Sequence, residues 1–379
     1  MYKVNLPTSI VFGYKSIDKL IDILNNLNLK HIFMVTSKNF KNRSNLIEVL
    51  QKEFKKYDMK VFLFDKVKPE PESDFIDKVV NIFKNSKCNC IISIGGGSVI
   101  DVGKYTAMMA TNGGKCVEYE QGKIIEKPSI PLIAIPTTAG TGSEVTPYSV
   151  INNSITGRKF TITHENLYPR YAIVDPRFTI TMSKKVTVAT ALDAWVHSLE
   201  GFLSDDENKL LNPIALESIN IIMNELPDLI LDQSNLKLRK NISMASLFGG
   251  MVISQVRTGL IHTMSVALAK FVSLPHGLLN AIITPYVLKF NKDFYNKKLI
   301  ELCNIIVDDI KTNDQALEYI IEWLYHIGVP KGLKDYNLHE SIIDGLVDRV
   351  REDKGLAKVN PRVIQNSDLQ KIFLRILKE

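Results

Sequence analysis

Short apolar runs alternate, through the first half of the chain, with segments whose apolar residues recur every three or four positions. YKVNLPTSIVFG at the start alternates apolar and polar residues as a strand does, and 16–27 then carries Ile17, Leu20, Ile21 and Leu24 at helical spacing. HIFMVTS (31–37) and KVFLFD (60–65) read as strands, 44–57 and 73–85 as amphipathic helices. NCIISIGGGS (89–98) is an apolar strand that runs straight into glycines. Strands alternating with helices of this length predict a parallel sheet with helices on both faces, a nucleotide-binding type of architecture. After Met182 helical spacing takes over, at 186–204, 213–226, 236–256, 261–271, 277–290, 297–309, 314–327 and 367–377, with Ser367 as N-cap of the last. The expectation is an α/β domain over 1–182 and an all-α domain over 183–379, packed around a cleft.

Composition narrows the class. At 379 residues, 45% apolar and 23% charged, the chain suits a soluble two-domain protein. Its 47 basic and 41 acidic residues are scattered without a basic block, which argues against nucleic acid as a partner. There is no run of 18 apolar residues and no signal-peptide pattern, so neither membrane insertion nor export is expected. Four cysteines do not make a disulfide framework and fit a reducing cytoplasm; Cys88 and Cys90, in an apolar run, read as buried thiols.

Three stretches carry candidate chemistry. Gly95, Gly96, Gly97 and Ser98 lie where a strand meets the helix VIDVGKYTAMMA. Glycines let the backbone approach a phosphate, and the helix start offers free N–H groups; a tight turn without a ligand would look the same. PLIAIPTTAGTGSEVTPYSV (131–150) is a second strand followed by a hydroxyl-rich loop, suited to form another wall of the same site. The third is a set of metal-binding types. Asp193 and His197 in ALDAWVHSLEG share one helix face, and His262 and His276 stand fourteen apart in RTGLIHTMSVALAKFVSLPHGLLN. One carboxylate and three imidazoles suit a divalent transition metal such as Fe²⁺ or Zn²⁺, which polarises carbonyl oxygens as hydride transfer requires. His31, His164, His326 and His339 lack such partners and read as structural or surface residues.

GGGSVIDVGK, IPTTAGTGSEVT, ALDAWVHSLEG and GLIHTMSVALAKFVSLPHGLLNAIITPYVLKFN, in that order, resemble the successive signatures of the iron-containing (group III) alcohol dehydrogenases. The resemblance runs from VFG near the start to NPR at 360–362. It implies a Rossmann-like N-terminal domain, an α-helical C-terminal domain, a dehydroquinate synthase-like architecture, NAD(P), a divalent metal and a homodimer. By position it makes Asp193, His197, His262 and His276 the metal ligands. It places Gly95 to Ser98 on the pyrophosphate, Thr137 and Thr138 near the cofactor and Lys159 near its ribose. Other relatives of this architecture set the alternatives, a dehydroquinate synthase-like lyase using bound NAD and metal, or a non-catalytic protein.

Departures from the family pattern matter as much. A histidine common four residues after the position of His262 is Val266 here, so no protein general base is assigned. Arg257 and Lys270 stand where small residues are usual and are expected to bind an anionic group of the substrate. The expected reaction is metal-dependent reduction of a short aldehyde, as phosphonoacetaldehyde to 2-hydroxyethylphosphonate. Where NAD-using relatives often carry an aspartate after the second strand, this chain has Ser37, followed by Lys38, Lys41 and Arg43, which favours NADP(H) over NAD(H).

Overall fold

A computed structural model describes all residues, 1–379, and divides the chain into two compact units, Leu6–Met182 and Met1–Asn5 with Ser183–Glu379. In the first, strands β1 (Ser9–Phe12), β2 (His31–Thr36), β3 (Lys60–Phe64), β4 (Cys90–Gly95), β5 (Leu132–Pro136) and β8 (Tyr171–Val174) form a six-stranded parallel sheet, ordered β1-β8-β5-β4-β2-β3. Strands β6 (Tyr148–Asn152) and β7 (Lys159–Thr163) form a separate antiparallel hairpin. Helices α1 (Leu20–Asn26), α2 (Lys38–Arg43), α3 (Leu46–Lys56), α4 (Ser73–Ser86), α5 (Gly97–Asn112) and α6 (Cys116–Glu120) complete this Rossmann-like unit.

Both faces of the sheet are covered, which explains why β4 reads as an unbroken apolar run. Ile92 and Ile94 point into a core with Leu20, Leu24 and Phe54, while Ile91 joins Ile76, Val79, Phe83 and Val102 on the opposite face. Strand β8 and the hairpin add to the predicted strands; YAIV is a short apolar run and KFTIT alternates polar and apolar residues. The alternating N-terminal run shrinks to the four residues of β1, because only Ser9 to Phe12 find a partner in β8.

The second unit is helical: α7 (Lys184–Leu203), α8 (Asn212–Leu231), α9 (Leu236–Ile253), α10 (Leu260–Leu268), α11 (His276–Asn291), α12 (Lys298–Asn304), α13 (Asn313–His326), α14 (Ile343–Arg351), α15 (Leu356–Val359) and α16 (Asn366–Lys378). Every residue of α7 from Ala191 to Leu203 is buried, and α8, α9 and α11 pack around it. Ser367 is not the cap of the last helix. Gln365 caps it in a reciprocal pair with Asp368, whose carboxylate accepts from the Gln365 N–H at 2.9 Å, and Ser367 lies inside the first turn. No helix is long and apolar enough to cross a membrane.

Candidate metal centre and nucleotide site

The helical unit brings the four metal-type residues together. Asp193 and His197 are buried one turn apart on α7, His262 lies in the first turn of α10, and His276 opens α11 after Pro275. From Asp193 Oδ1 the distances are 3.9 Å to His197 Nε2, 3.7 Å to His262 Nε2 and 3.8 Å to His276 Nε2. Donor atoms of Asp193, His262 and His276 form the tightest group, all within 4.8 Å of one another. The His197 ring stacks on that of His262, with centroids 4.8 Å apart. A tetrahedral ion with bonds near 2.1 Å sets its donors about 3.4 Å apart, so a small contraction of this set fits one.

Close backbone approach makes the convergence possible. A Cβ on Gly277 would lie 2.0 Å from the carbonyl oxygen of Ala189 and 2.7 Å from Asp193 Cβ, so only glycine lets the start of α11 touch α7 there.

Electrostatics agree with a cation site. Burial alone would raise the Asp193 carboxyl, but His197, His262 and His276 outweigh it and hold that carboxyl far below the usual range. Burial would lower His262, yet Glu200 and Asp193 push it up to about 9, so a metal taking that nitrogen displaces a proton. Asn280 completes the surround: Nδ2 donates to Asp193 Oδ1 at 2.9 Å and faces His262 Nε2 at 3.1 Å and His276 Nε2 at 3.4 Å. Neither Glu200 nor Asn280 stood out in the sequence. Their signal was spacing, Glu200 three residues after His197 and Asn280 four after His276, each on the face of its ligand.

Of the two added cations, Arg257 is already engaged. Its Nη2 donates to both carboxylate oxygens of Asp353, at 2.8 and 2.7 Å, and Asp353 also accepts from Thr263 Oγ1 at 2.9 Å. Arg257 thus ties the turn before α10 to the segment after α14. Lys270 is exposed beyond the end of α10, and Val266, one turn past His262, is 41% exposed. His164 and His339 each cap a short 3₁₀ turn, accepting from the N–H of Asn166 and Ser341.

In the sheet unit, the predicted cofactor residues gather at the carboxyl edge of three adjacent strands, the edge where open parallel sheets bind ligands. Ser37 follows β2, Gly95 to Ser98 follow β4, and Thr137 and Thr138 follow β5. Ser37 caps α2, accepting from the Phe40 N–H at 3.2 Å. Gly96, not Ser98, is the N-cap of α5. A Cβ on Gly96 would come 3.1 Å from Thr138 Oγ1, and one on Gly97 2.9 Å from Thr141 Cγ2, so the glycine turn and the threonine loop face each other closely. Lys159, at the start of β7, pairs with Glu70 at 2.9 Å, and the Glu70 N–H donates to Ser98 Oγ at 3.3 Å. Lys41 is paired with Asp65 at 2.6 Å.

Behind this edge Lys104 of α5 is buried, donating to the carbonyls of Thr146 (2.8 Å) and Tyr148 (2.6 Å), and so ties the helix that follows the glycine turn to the segment after the threonine loop. Burial raises the neighbouring Glu144 carboxyl to about 7, against an ordinary 4.5. Between those pH values the folded chain keeps a proton that the unfolded chain releases, so this group contributes stability at low pH that is lost as pH rises through 7. Glu144→Gln, which cannot ionise, should therefore gain on the parent as pH goes from 5 to 8, by on the order of 2–3 kcal/mol in urea unfolding; a difference independent of pH would contradict the burial argument.

A parallel-sheet nucleotide fold joined in one chain to a carboxylate–histidine centre defines a metal-dependent, dinucleotide-using oxidoreductase class. The comparisons agree. The iron-containing alcohol dehydrogenase family model matches residues 7–176, and the Fe-containing alcohol dehydrogenase C-terminal model matches 187–377. The NAD-dependent methanol dehydrogenase of Bacillus methanolicus is 27% identical over 98% of this chain and 99% of its own. A solved 1,3-propanediol oxidoreductase superposes with a TM-score of 0.93, 27% identity, and coverage of 99% of this chain and 100% of that one. The sulfoacetaldehyde reductase of Bifidobacterium kashiwanohense, solved with NAD⁺, gives 0.91 at 28% identity, covering 100% of this chain and 99% of that one. The chain belongs to the iron-containing alcohol dehydrogenase family.

Proposed function

We propose that the protein is an NAD(P)H-dependent reductase of a short aldehyde carrying an anionic group, phosphonoacetaldehyde being the representative substrate. The observation that carries this reading is the convergence of the His262 and His276 donor atoms on the buried carboxylate of Asp193, which these histidines and His197 hold ionised. When bound, the divalent metal supplies a Lewis acid for the carbonyl oxygen and the nicotinamide supplies the hydride, so that aldehyde, NAD(P)H and one proton give alcohol and NAD(P)⁺. Asp193, His197, His262 and His276 hold the metal; Gly95 to Ser98, Thr137, Thr138 and Lys159 hold the nucleotide. His276, with 40% of its side chain exposed, is the ligand on the open side of the centre, and Val266 offers no proton donor one turn from His262, so the proton comes by water, by the cofactor ribose or by another side chain.

Lys270 is the cation assigned to the substrate's anionic group, because Asp353 already takes up the charge of Arg257. The likeness to a structure named for sulfoacetaldehyde, another short anionic aldehyde, supports this choice. For the cofactor, the small Ser37 side chain and the cations of Lys38 and Arg43 support NADP(H), with Lys41 spent on Asp65.

The test is NAD(P)H oxidation with phosphonoacetaldehyde, a short carboxylated aldehyde and propanal, in added Fe²⁺ or Zn²⁺. Lys270→Ala should lower kcat/KM for the anionic substrates about tenfold, roughly 1.4 kcal/mol, and leave propanal unchanged. Equal handling of propanal by the parent, with no effect of Lys270→Ala, would sink the anionic reading. A preference for NADH beyond about tenfold would overturn the NADP(H) assignment.

A further inference from the structure

We infer that Glu200 is a positioning residue of the metal centre, holding the His262 imidazole with its proton on Nδ1 and its Nε2 turned toward Asp193. The inference rests on the metal-centre reading above and concerns how one ligand of that centre is oriented.

Glu200 lies on α7, buried, and Oε2 is 2.6 Å from His262 Nδ1. A carboxylate only accepts, so the imidazole must donate from Nδ1 whatever its charge, which leaves Nε2 to face Asp193 and the Asn280 amide. The carboxylate is itself pinned. Oε2 also accepts from the Gly259 N–H at 2.9 Å, and Oε1 from the Ile261 N–H at 2.7 Å. Both donors belong to the chain turn that carries His262, so one side chain of α7 grips the backbone and the ring of the same residue group on α10. Room for that grip depends on Gly259, where a Cβ would come 3.0 Å from Glu200 Oε1.

His276 is held differently, its Nδ1 lying 3.2 Å from the neutral Ser265 hydroxyl. On His262 the partner of Nδ1 is an anion, and an anionic partner raises the basicity of the opposite ring nitrogen as well as fixing its direction. A purely structural role for Glu200, anchoring the start of α10, would account for its two backbone contacts but not for the short contact to the ring.

The experiment uses the full chain, stripped of metal and titrated with Zn²⁺ against a chromophoric chelator. Glu200→Gln keeps an amide oxygen for the backbone donors but loses the anion, and should weaken Zn²⁺ binding about 10- to 100-fold. Asp353→Asn loosens the same end of α10 through Thr263 without touching the ring and should leave the affinity within about twofold of the parent. Glu200→Gln with parental Zn²⁺ affinity overturns the inference, as does an equal loss in Asp353→Asn, which would reduce Glu200 to a helix anchor. A measurement on the unaltered chain stands apart from any folding defect: imidazole ¹⁵N shifts of the Zn²⁺-bound protein should show His262 protonated at Nδ1, and protonation at Nε2 overturns the inference. A parent chain that binds no Zn²⁺ or Fe²⁺ at all removes the metal-centre reading itself and this inference with it; a parent that binds while Glu200→Gln binds equally removes only the inference.

Discussion

His262→Ala should lose tight metal binding and lower kcat/KM for aldehyde reduction by on the order of 10³-fold, corresponding to about 4 kcal/mol of transition-state stabilisation. The reasons lie on both sides of the ring. Its Nε2 is one of the three donor atoms in the tightest group, and removing it leaves Asp193 buried with one fewer of the imidazoles that offset the cost of burying its charge. On the other side, Glu200 would keep its two backbone donors but lose its shortest partner, at 2.6 Å. Metal content of protein purified without chelator, together with steady-state rates in added Fe²⁺ or Zn²⁺, measures both effects. A metal-free His262→Ala enzyme that reduces aldehydes at the parental rate would refute the proposed chemistry.

Gly277→Ala should be the most damaging single methyl group in the helical unit. The added carbon meets backbone, the Ala189 carbonyl oxygen at 2.0 Å, and α11 must retreat from α7 to admit it. Overpacking of this kind costs about 3 kcal/mol, which in a unit of this size lowers Tm by roughly 6–12 °C. Because His276 is the preceding residue, the retreat also draws its ring from Asp193, so metal content should fall together with Tm. Gly345→Ala on α14 is the matched control: nothing lies within 4 Å of its added carbon, and alanine favours a helix. Parental Tm and metal content in Gly277→Ala would show that the close approach of α7 and α11 is not needed to build the centre.

Much of this could be read along the chain because the signals are local. Strands β2, β3 and β4 are short β-rich apolar runs, and α4 and α5 follow with helical spacing, so the parallel sheet and its glycine turn are legible one element at a time. Asp193 and His197 are legible as a pair because a helix places i and i+4 on one face. Partners distant in sequence were not. Strand β8 and the β6–β7 hairpin carry only short apolar or alternating runs, and their pairing depends on chain more than 100 residues away for β1 with β8 and on a turn at 153–158 for the hairpin.

The charged residues show the same division most sharply. Arg257 and Lys270 look alike in the sequence, two cations flanking a metal-type histidine. Only the tertiary structure separates them, by bringing Asp353, from the segment after α14, onto Arg257 and leaving Lys270 exposed. Lys41 is likewise set apart from Lys38 and Arg43 by Asp65. Glu200 and Asn280 gain their roles only when α7, α10 and α11 meet.

By itself, then, the sequence determined the two kinds of architecture, the residue types of the metal centre and the glycine turn, because each follows from backbone periodicity or from side-chain chemistry within a few positions. The tertiary structure alone decided which charges are spent, which imidazole nitrogen of His262 faces Asp193 and how closely the helices approach, because these depend on distances between residues that the chain order leaves tens or hundreds of positions apart.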